Sequence, residues 1–310
     1  MDFDVNMLSN LLYAMVRTGT PLLLIALGEM VCEKSGVLNL GQEGMLLMEA
    51  VAGFIAALTS GSLIIGVLAA ILVGILMSLL FGLIAINLNA NQVATGLALT
   101  IFGIGLSAFV GSSYVGQPLK GFEPINMGGL TDIPVIGKML FGQDALVYLS
   151  FLLFLGVYWF FRWSRAGLVV KAVGENPHAA EAIGLPVIKT RYLAVMFGGG
   201  MAGLAGAYLS LAYTPMWVEG MSAGKGWIGL ALVVFASWQT GRVLFGAYLF
   251  GLMSILNLVV QGLGFNISAN LLNILPYLAT IVVLVFLSMN QQRIKMYAPA
   301  SLGKPFHRSR

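Results

Sequence analysis

The stretch RWSRAGLVVKAVGENPHAAEAIGLPVIKTR, residues 162–191, is one of the few long polar segments in an otherwise apolar chain. Within it, Asn176-Pro177 followed by Gly184-x-Pro186 spells out a complete, very short helix. Asn176 suits the N-cap, where its side chain accepts a backbone N–H, and Pro177 suits the first helical position. Gly184 is able to take the left-handed stop conformation, and Pro186 forbids continuation. About seven residues at ~1.5 Å each make a rod of ~10 Å, too short to hold together alone in water. Ala179, Ala180 and Ile183 are expected to share one small, mildly apolar face. Such a stub fits either a knob that docks into another protein or a loop helix lying against its own membrane domain.

Working outward, the chain has 310 residues, 59% hydrophobic and 9% charged, where a soluble domain carries about 25% charged residues. Residues 50–119 and 243–292 contain no Asp, Glu, Lys or Arg. A helical crossing needs about 20 mostly apolar residues, so these windows hold roughly three and two crossings. Continuous apolar runs exclude an outer-membrane barrel, whose strands alternate over about ten residues. The expectation is an all-α polytopic membrane protein, a single transmembrane domain over residues 1–310 with 8–10 spans and no soluble domain. The start, MDFDVNML, does not read as a signal peptide. Cys32 stands alone, which excludes an internal disulfide and any cysteine metal set.

The charges orient the chain. Residues 293–310 hold Arg293, Lys295, Lys304, Arg308 and Arg310 without an acid, and 162–191 adds Arg162, Arg165, Lys171, Lys189 and Arg191. Together these are ten of the sixteen Lys and Arg, so the loop 162–191 and the tail 290–310 are expected to be cytoplasmic. That placement, with a net charge of only +4, leaves no nucleic-acid signal. Four spans, about 192–213, 226–239, 243–262 and 270–289, separate the loop from the tail. Upstream, a span at 146–161 puts the Pro/Gly-rich segment 114–144 outside. Spans at about 63–86 and 93–113 flank an asparagine-rich cytoplasmic turn, and a span at about 37–58 precedes them. At the N-terminus, nine spans place the first residues outside, whereas a re-entrant break near 35–44 gives ten and places them inside. Segments 63–113 and 243–289 share a layout and would be inverted relative to each other, an arrangement that in transporters puts the substrate path at the repeat interface.

Chemistry-bearing patterns are few. Gly224-Lys-Gly-Trp-Ile-Gly229 matches G-x-G-x-x-G but opens a membrane span rather than following a strand, and no Gly-Lys pair is followed by Ser or Thr. Gly199 with Gly203 and Ala202 with Gly206 have the small-residue spacing of tight helix packing. In GEMVCEKSGVLNLGQEG, residues 28–44, the acids Glu29 and Glu33 with Lys34 are expected in a cytoplasmic turn, while Asn39, Gln42 and Glu43 suit a cavity lining or a helix break. Further candidates for a solute path are Asn87, Asn91, Gln92, Thr95, Asn257, Gln261 and Asn273, an almost uncharged set suited to a neutral hydroxyl- or amide-bearing solute. His178 and His307 have no partner pattern. No acid/base pair, metal set or nucleophile arrangement stands out, so no catalytic residue is assigned.

Two regions together resemble a known family. GEMVCEKSGVLNLGQEGMLLMEAVAGF (residues 28–54) and VVKAVGENPHAAEAIGL (169–185) closely resemble permease subunits of bacterial ABC importers in the branched-chain amino acid, ribose and simple-sugar group, nearest the simple-sugar or nucleoside branch. The resemblance implies a half-transporter of the bacterial cytoplasmic (inner) membrane, paired with a second permease subunit, alike or related. Separate ATPase subunits would bind ATP and Mg, no cofactor residing on this chain, and an extracytoplasmic solute-binding protein would deliver the solute. Gly174, Glu175, Asn176, Pro177, Ala179, Ala180, Ile183 and Gly184 match the family's coupling helix, which sits in a cleft of the ATPase. The expected cargo is a nucleoside first, a ribose-like sugar second and a branched-chain amino acid third. A secondary transporter or channel without an ATPase is the rival reading; few mid-span acids in the sequence count against ion coupling.

Overall fold

The structure, a computed structural model, describes residues 5–262 and 297–307, with single positions 274, 278, 281, 282 and 285 between them; at 257–259 and 261–262 only the backbone is described. Regular structure among these residues is helical, save one isolated β-bridge between Val115 and Trp217. The first helix, α1, Val5–Lys34, runs through Pro21 without interruption. Its 30 residues at ~1.5 Å each span a bilayer with tilt to spare. It is buried almost throughout from Val16 to Glu33. Next come α2 (Gln42–Ser60), α3 (Leu63–Gly82, prolonged by a π-helical turn Leu83–Asn87) and α4 (Gln92–Gly111). A long connection carrying the short α5 (Ile136–Phe141) leads to α6 (Ala145–Trp163), then α7 (Arg165–Glu175) and the stub α8 (Pro177–Ala182). Helix α9 (Val187–Tyr208, prolonged by a π-helical turn Leu209–Tyr213), α10 (Lys225–Phe235) and α11 (Thr240–Gly262) follow.

Six described helices are long and apolar enough to cross a membrane, and Lys225–Phe235 and Thr240–Leu256 are shorter apolar helices. The expected span 270–289 lies outside the described residues. Two expected spans are corrected. Helix α2 begins only at Gln42, not at 37, because residues 35–41 are unwound. Helix α10 has 11 residues, about 16 Å, and so covers half a bilayer rather than all of it. It stops because Ser237 and Trp238 take left-handed backbone angles, φ 49° and 53°, which carry the Trp238 indole to the Glu33 carboxylate at 2.5 Å.

The centre of the bundle is the antiparallel pair α1 and α9. Near one end Arg17 donates to the carbonyl of Ala212 at 2.6 Å. Further along, Gly28 faces Gly198 and Met201, and a side chain at Gly28 would have no room. Lipid tails are as apolar as leucine, so helices gain little by hiding from them; close packing of small residues supplies the attraction instead. The glycine series of α9 serves this within the chain: Gly199 lies on Gly74 and Ser78 of α3, Gly203 on Ala70 and Gly206 on Glu49 and Ala50 of α2.

Connectivity sets the sides. The Lys138 ammonium donates to Asn10 and the Gln143 amide to the carbonyl of Tyr13, so the start of α1 shares a side with segment 114–144. The other end of α1 meets the tail, where Lys34 donates to the carbonyl of Tyr297 at 3.0 Å. The positive-inside rule would put the basic tail in the cytoplasm and the N-terminal end of α1 on the opposite face. Helices α1–α2–α3 and α9–α10–α11 repeat one pattern: a long helix, an unwound segment, a helix that starts within the bundle, and another long helix. Helix α3 packs antiparallel to α9 (Gly66 near Leu211, Gly82 near Tyr192), and α11 antiparallel to α1 (Gly251 near Met15 and Gly19). The two units are therefore inverted, with α3 matching α11 as the sequence layout implied.

Candidate functional site

The two unwound segments meet inside the bundle. Helices α2 and α10 both begin there, and the first N–H groups of any helix lack intrahelical partners. At membrane depth no water satisfies them, so protein must. Glu43, in the first turn of α2, serves α10. Its Oε1 accepts the Ser222 hydroxyl at 2.5 Å and the Gly224 N–H at 2.9 Å, and its Oε2 accepts the Gly226 N–H at 2.7 Å. The partial positive charge of a helix N-terminus favours this placement of a carboxylate. Gly226 has no alternative, since a side chain there would enter the Glu43 backbone.

Glu29 does the same for the segment before α2. Its carboxylate accepts the Asn39 N–H at 3.0 Å and the Gln42 amide at 2.7 Å. Asn39 Oδ1 accepts the Gly41 N–H at 2.9 Å, Gln92 Oε1 accepts the Leu38 N–H at 2.8 Å, and the Thr100 hydroxyl donates to the Leu40 carbonyl at 2.9 Å. Gly44 of α2 and Gly103 of α4 touch backbone to backbone beside it. Asn39, Gln42, Glu43 and Gln92, expected along a solute path, are brought together here, all buried, and their hydrogen bonds hold up the unwound backbone.

The other path candidates do not join this network. Asn87 is exposed at the end of α3, and Asn91 caps α4 by accepting the Ala94 N–H at 3.0 Å. The Thr95 hydroxyl donates back to the Asn91 carbonyl at 2.9 Å, and the residue lines an apolar groove of about 400 Å³ with Phe81, Ile84, Leu99 and Phe102. Asn257, Gln261 and Asn273 lie outside the residues whose side chains are described. Glu29 and Glu33 are a correction: they sit in α1 at 0% and 2% exposure, not in a solvated turn. The missed signal was their i,i+4 spacing on a helix continuous with the apolar run before it. Glu49, two turns into α2, is also fully buried, between Gly74 of α3 and Gly206 of α9.

The second site is the stub α8. Ser164 caps α7 by accepting the Gly167 N–H at 2.9 Å. Asn176 caps α8 by accepting the Ala179 N–H at 3.0 Å, Pro177 opens the helix, and Gly184 stops it at φ 84°. The Leu185 N–H then donates back to the Ala180 carbonyl at 3.0 Å. The expected common face of Ala179, Ala180 and Ile183 is divided. Ala179 and Ile183 face outward, whereas Ala180, about 100° round the helix from Ala179, turns toward its own chain. Ala180 is 3% exposed, packed on Val173, Val187 and Phe306, and Ile183 is 76% exposed. Glu175, Asn176, Ala179, Ala182 and Ile183 form the outer surface. Gly174 is buried rather than part of it, its carbonyl accepting the Ser301 N–H at 3.0 Å. The Lys171 ammonium donates to the Phe161 carbonyl at 2.8 Å, and partial burial, with Arg162 nearby, holds its pKa below the usual lysine value.

Comparison with known proteins gives this arrangement relatives. The Haloferax volcanii protein that carries the name glucose ABC transporter permease protein TsgC13 is 41% identical, over 97% of this chain and 98% of the relative. The guanosine ABC transporter permease protein NupQ of Bacillus subtilis is 31% identical, and the nucleoside ABC transporter permease protein NupC of Lactococcus lactis 29%, each over 90% of this chain and 92% of the relative. Among solved structures, PsaBC from Streptococcus pneumoniae in complex with Fab shares the fold at a TM-score of 0.50 and 17% identity, covering 93% of this chain and 94% of that one. The family model for the branched-chain amino acid transport system permease component matches residues 11–286. The chain is thus a multi-pass membrane protein that belongs to this family of ABC transporter permeases, within its sugar and nucleoside group.

Proposed function

We propose that this chain is one half of the membrane path of an ATP-driven importer, moving a small neutral sugar-bearing solute, a nucleoside or a free sugar. A partner ATPase grips α8, a second permease subunit completes the path, and an extracytoplasmic binding protein presents the solute. The observation that carries this reading is the way α8 is made. It is capped at both ends, rooted through Ala180, and presents Ala179, Ala182 and Ile183 outward with no apolar cover from the described residues. Each ligand in such a cycle must favour one of two states or it shifts nothing. ATP held between ATPase subunits supplies that preference, and α8 is the handle on which it acts. The permease contributes geometry and no covalent step.

The test is uptake into vesicles carrying the whole transporter. Ile183→Asp or Ala179→Asp is expected to abolish uptake with the permease still inserted and thermally stable, because each residue faces outward. Ala180→Asp is expected to lose uptake together with stability, because it places a charge against Val173, Val187 and Phe306. Normal uptake in both outward-face variants would remove the docking claim. For cargo, binding of glucose and of guanosine to the cognate binding protein separates the sugar from the nucleoside. The identity to the glucose-named relative favours the free sugar, and the guanosine and nucleoside permeases favour the nucleoside.

A further inference from the structure

The described part of the cytoplasmic tail, residues 297–307, does not trail into solvent. Phe306 is 6% exposed and closes the small apolar cluster of Val173, Ala180 and Val187 that seats α8. Its ring lies 5.1 Å from the His178 ring, centre to centre, and 5.7 Å beneath the Arg191 guanidinium. A few residues earlier the same segment reaches the intramembrane break. The Gly303 N–H donates to the Gly36 carbonyl at 3.2 Å, and the Ser301 N–H and hydroxyl both donate to the Gly174 carbonyl. The carbonyl of Lys304 accepts from Arg191 at 3.4 Å and from the Gln92 amide at 3.5 Å. Gln92 is the residue whose other amide atom holds Leu38 in the unwound segment.

Arg191 shows how firmly this contact is built. It is 1% exposed, and among the described residues no carboxylate pairs with it. Its guanidinium rests on the Lys304 carbonyl, the Ser301 hydroxyl at 3.4 Å and the Phe306 ring. A buried cation with its acceptors withdrawn is costly, so the tail leaves this seat only with difficulty. Gly36, at φ 87°, adds a steric condition, since a Cβ there would collide with the Ser301 hydroxyl and press on Arg191.

From these contacts we infer that the tail segment around Ser301–Phe306 is the transmission strap of the permease, making the α8 stub and the unwound residues 36–41 move as one body. A pull on α8 reaches the Gly36 turn through Phe306, Arg191 and the tail backbone. From there it reaches Asn39 and Gln42, and through them the Glu29 network. Phe306, Ser301 and Arg191 are positioning residues on this reading, which rests on the importer function proposed above.

The test compares solute transported per ATP hydrolysed in proteoliposomes holding permease, ATPase and binding protein. That ratio does not depend on how much complex assembles, so a loss of folded protein alone does not move it. Phe306→Ala and Ser301→Ala are expected to lower the ratio about tenfold and severalfold, hydrolysis per assembled complex staying within about twofold. Phe306→Leu, which keeps most of the buried volume, is expected to recover most of the ratio. An unchanged ratio in Ser301→Ala and Phe306→Ala overturns the strap, and so does an unchanged ratio in Ser301→Ala alone where Phe306→Ala does not assemble. Uptake by the native chain without any need for ATP would instead sink the importer reading itself.

Discussion

Glu43 shows how a charge at membrane depth is kept. It accepts three hydrogen bonds from the start of α10, two of them from backbone N–H groups that have no partner within their own helix. Leaving a buried donor unsatisfied costs about 1–3 kcal/mol. Glu43→Ala is therefore expected to lower the unfolding free energy by at least ~2 kcal/mol, read as a drop in melting temperature in detergent, with Glu43→Gln between the two because it keeps one acceptor oxygen. Asp144, at the start of α6, makes a contrasting prediction. Its Oδ1 accepts the N–H groups of Leu146 and Val147, at 3.0 and 3.1 Å. Burial raises its pKa above the ordinary 3.8, opposed by those bonds and by Arg17. The folded chain then holds this proton more tightly than the unfolded one, so the contribution favours folding at low pH and is lost as pH rises through the folded value. Asp144→Asn caps a helix about as well and removes the titration. The melting temperature of the native chain relative to that variant should fall as pH rises above about 4; a difference that does not vary with pH would contradict the assignment.

Among elements, the seam of α9 and α3 and the half-length α10 carry the architecture. Gly199 lies so close to Gly74 and Ser78 that any side chain must displace backbone. Overpacking of this kind costs about 1–3 kcal/mol or more, so Gly199→Val is expected to lower the melting temperature clearly. Gly200→Ala, whose Cβ would make only ordinary contacts with Ile71 and Ile75, is expected to be nearly neutral. Equal effects of the two would mean that the seam is not close-packed. Helix α10 is short because its two ends are tied elsewhere, to Glu43 at one and through Trp238 to Glu33 at the other. Trp238→Phe keeps one aromatic ring but withdraws the indole N–H from a buried carboxylate, so its melting temperature should fall further than the lost volume alone implies.

At the scale of the whole molecule, the inverted pairing of α1–α2–α3 with α9–α10–α11 gives both unwound segments one meeting place. It also sets a topology that labelling can check. Cysteines at Val5 and Glu123 are expected to react with an impermeant reagent from one side of the membrane and a cysteine at Ile183 only from the other, the native Cys32 being 1% exposed. Reaction of all three from one side would overturn the arrangement. The sequence by itself determined the apolar class and the complete capping chemistry of α8, because those rest on composition and on partners three or four residues apart, as in Asn176 with Ala179. It also held the family resemblance and the candidates Asn39, Gln42, Glu43 and Gln92. What it did not hold was their use. Glu43 meets Ser222 across 179 positions and Glu33 meets Trp238 across 205, and no local pattern encodes a partner so far along the chain. Only the tertiary structure turned Ala180 inward, cut α10 to half a span and buried Glu29 and Glu33, because inside a bilayer the satisfaction of backbone and charge is decided by whichever distant helix comes to lie alongside.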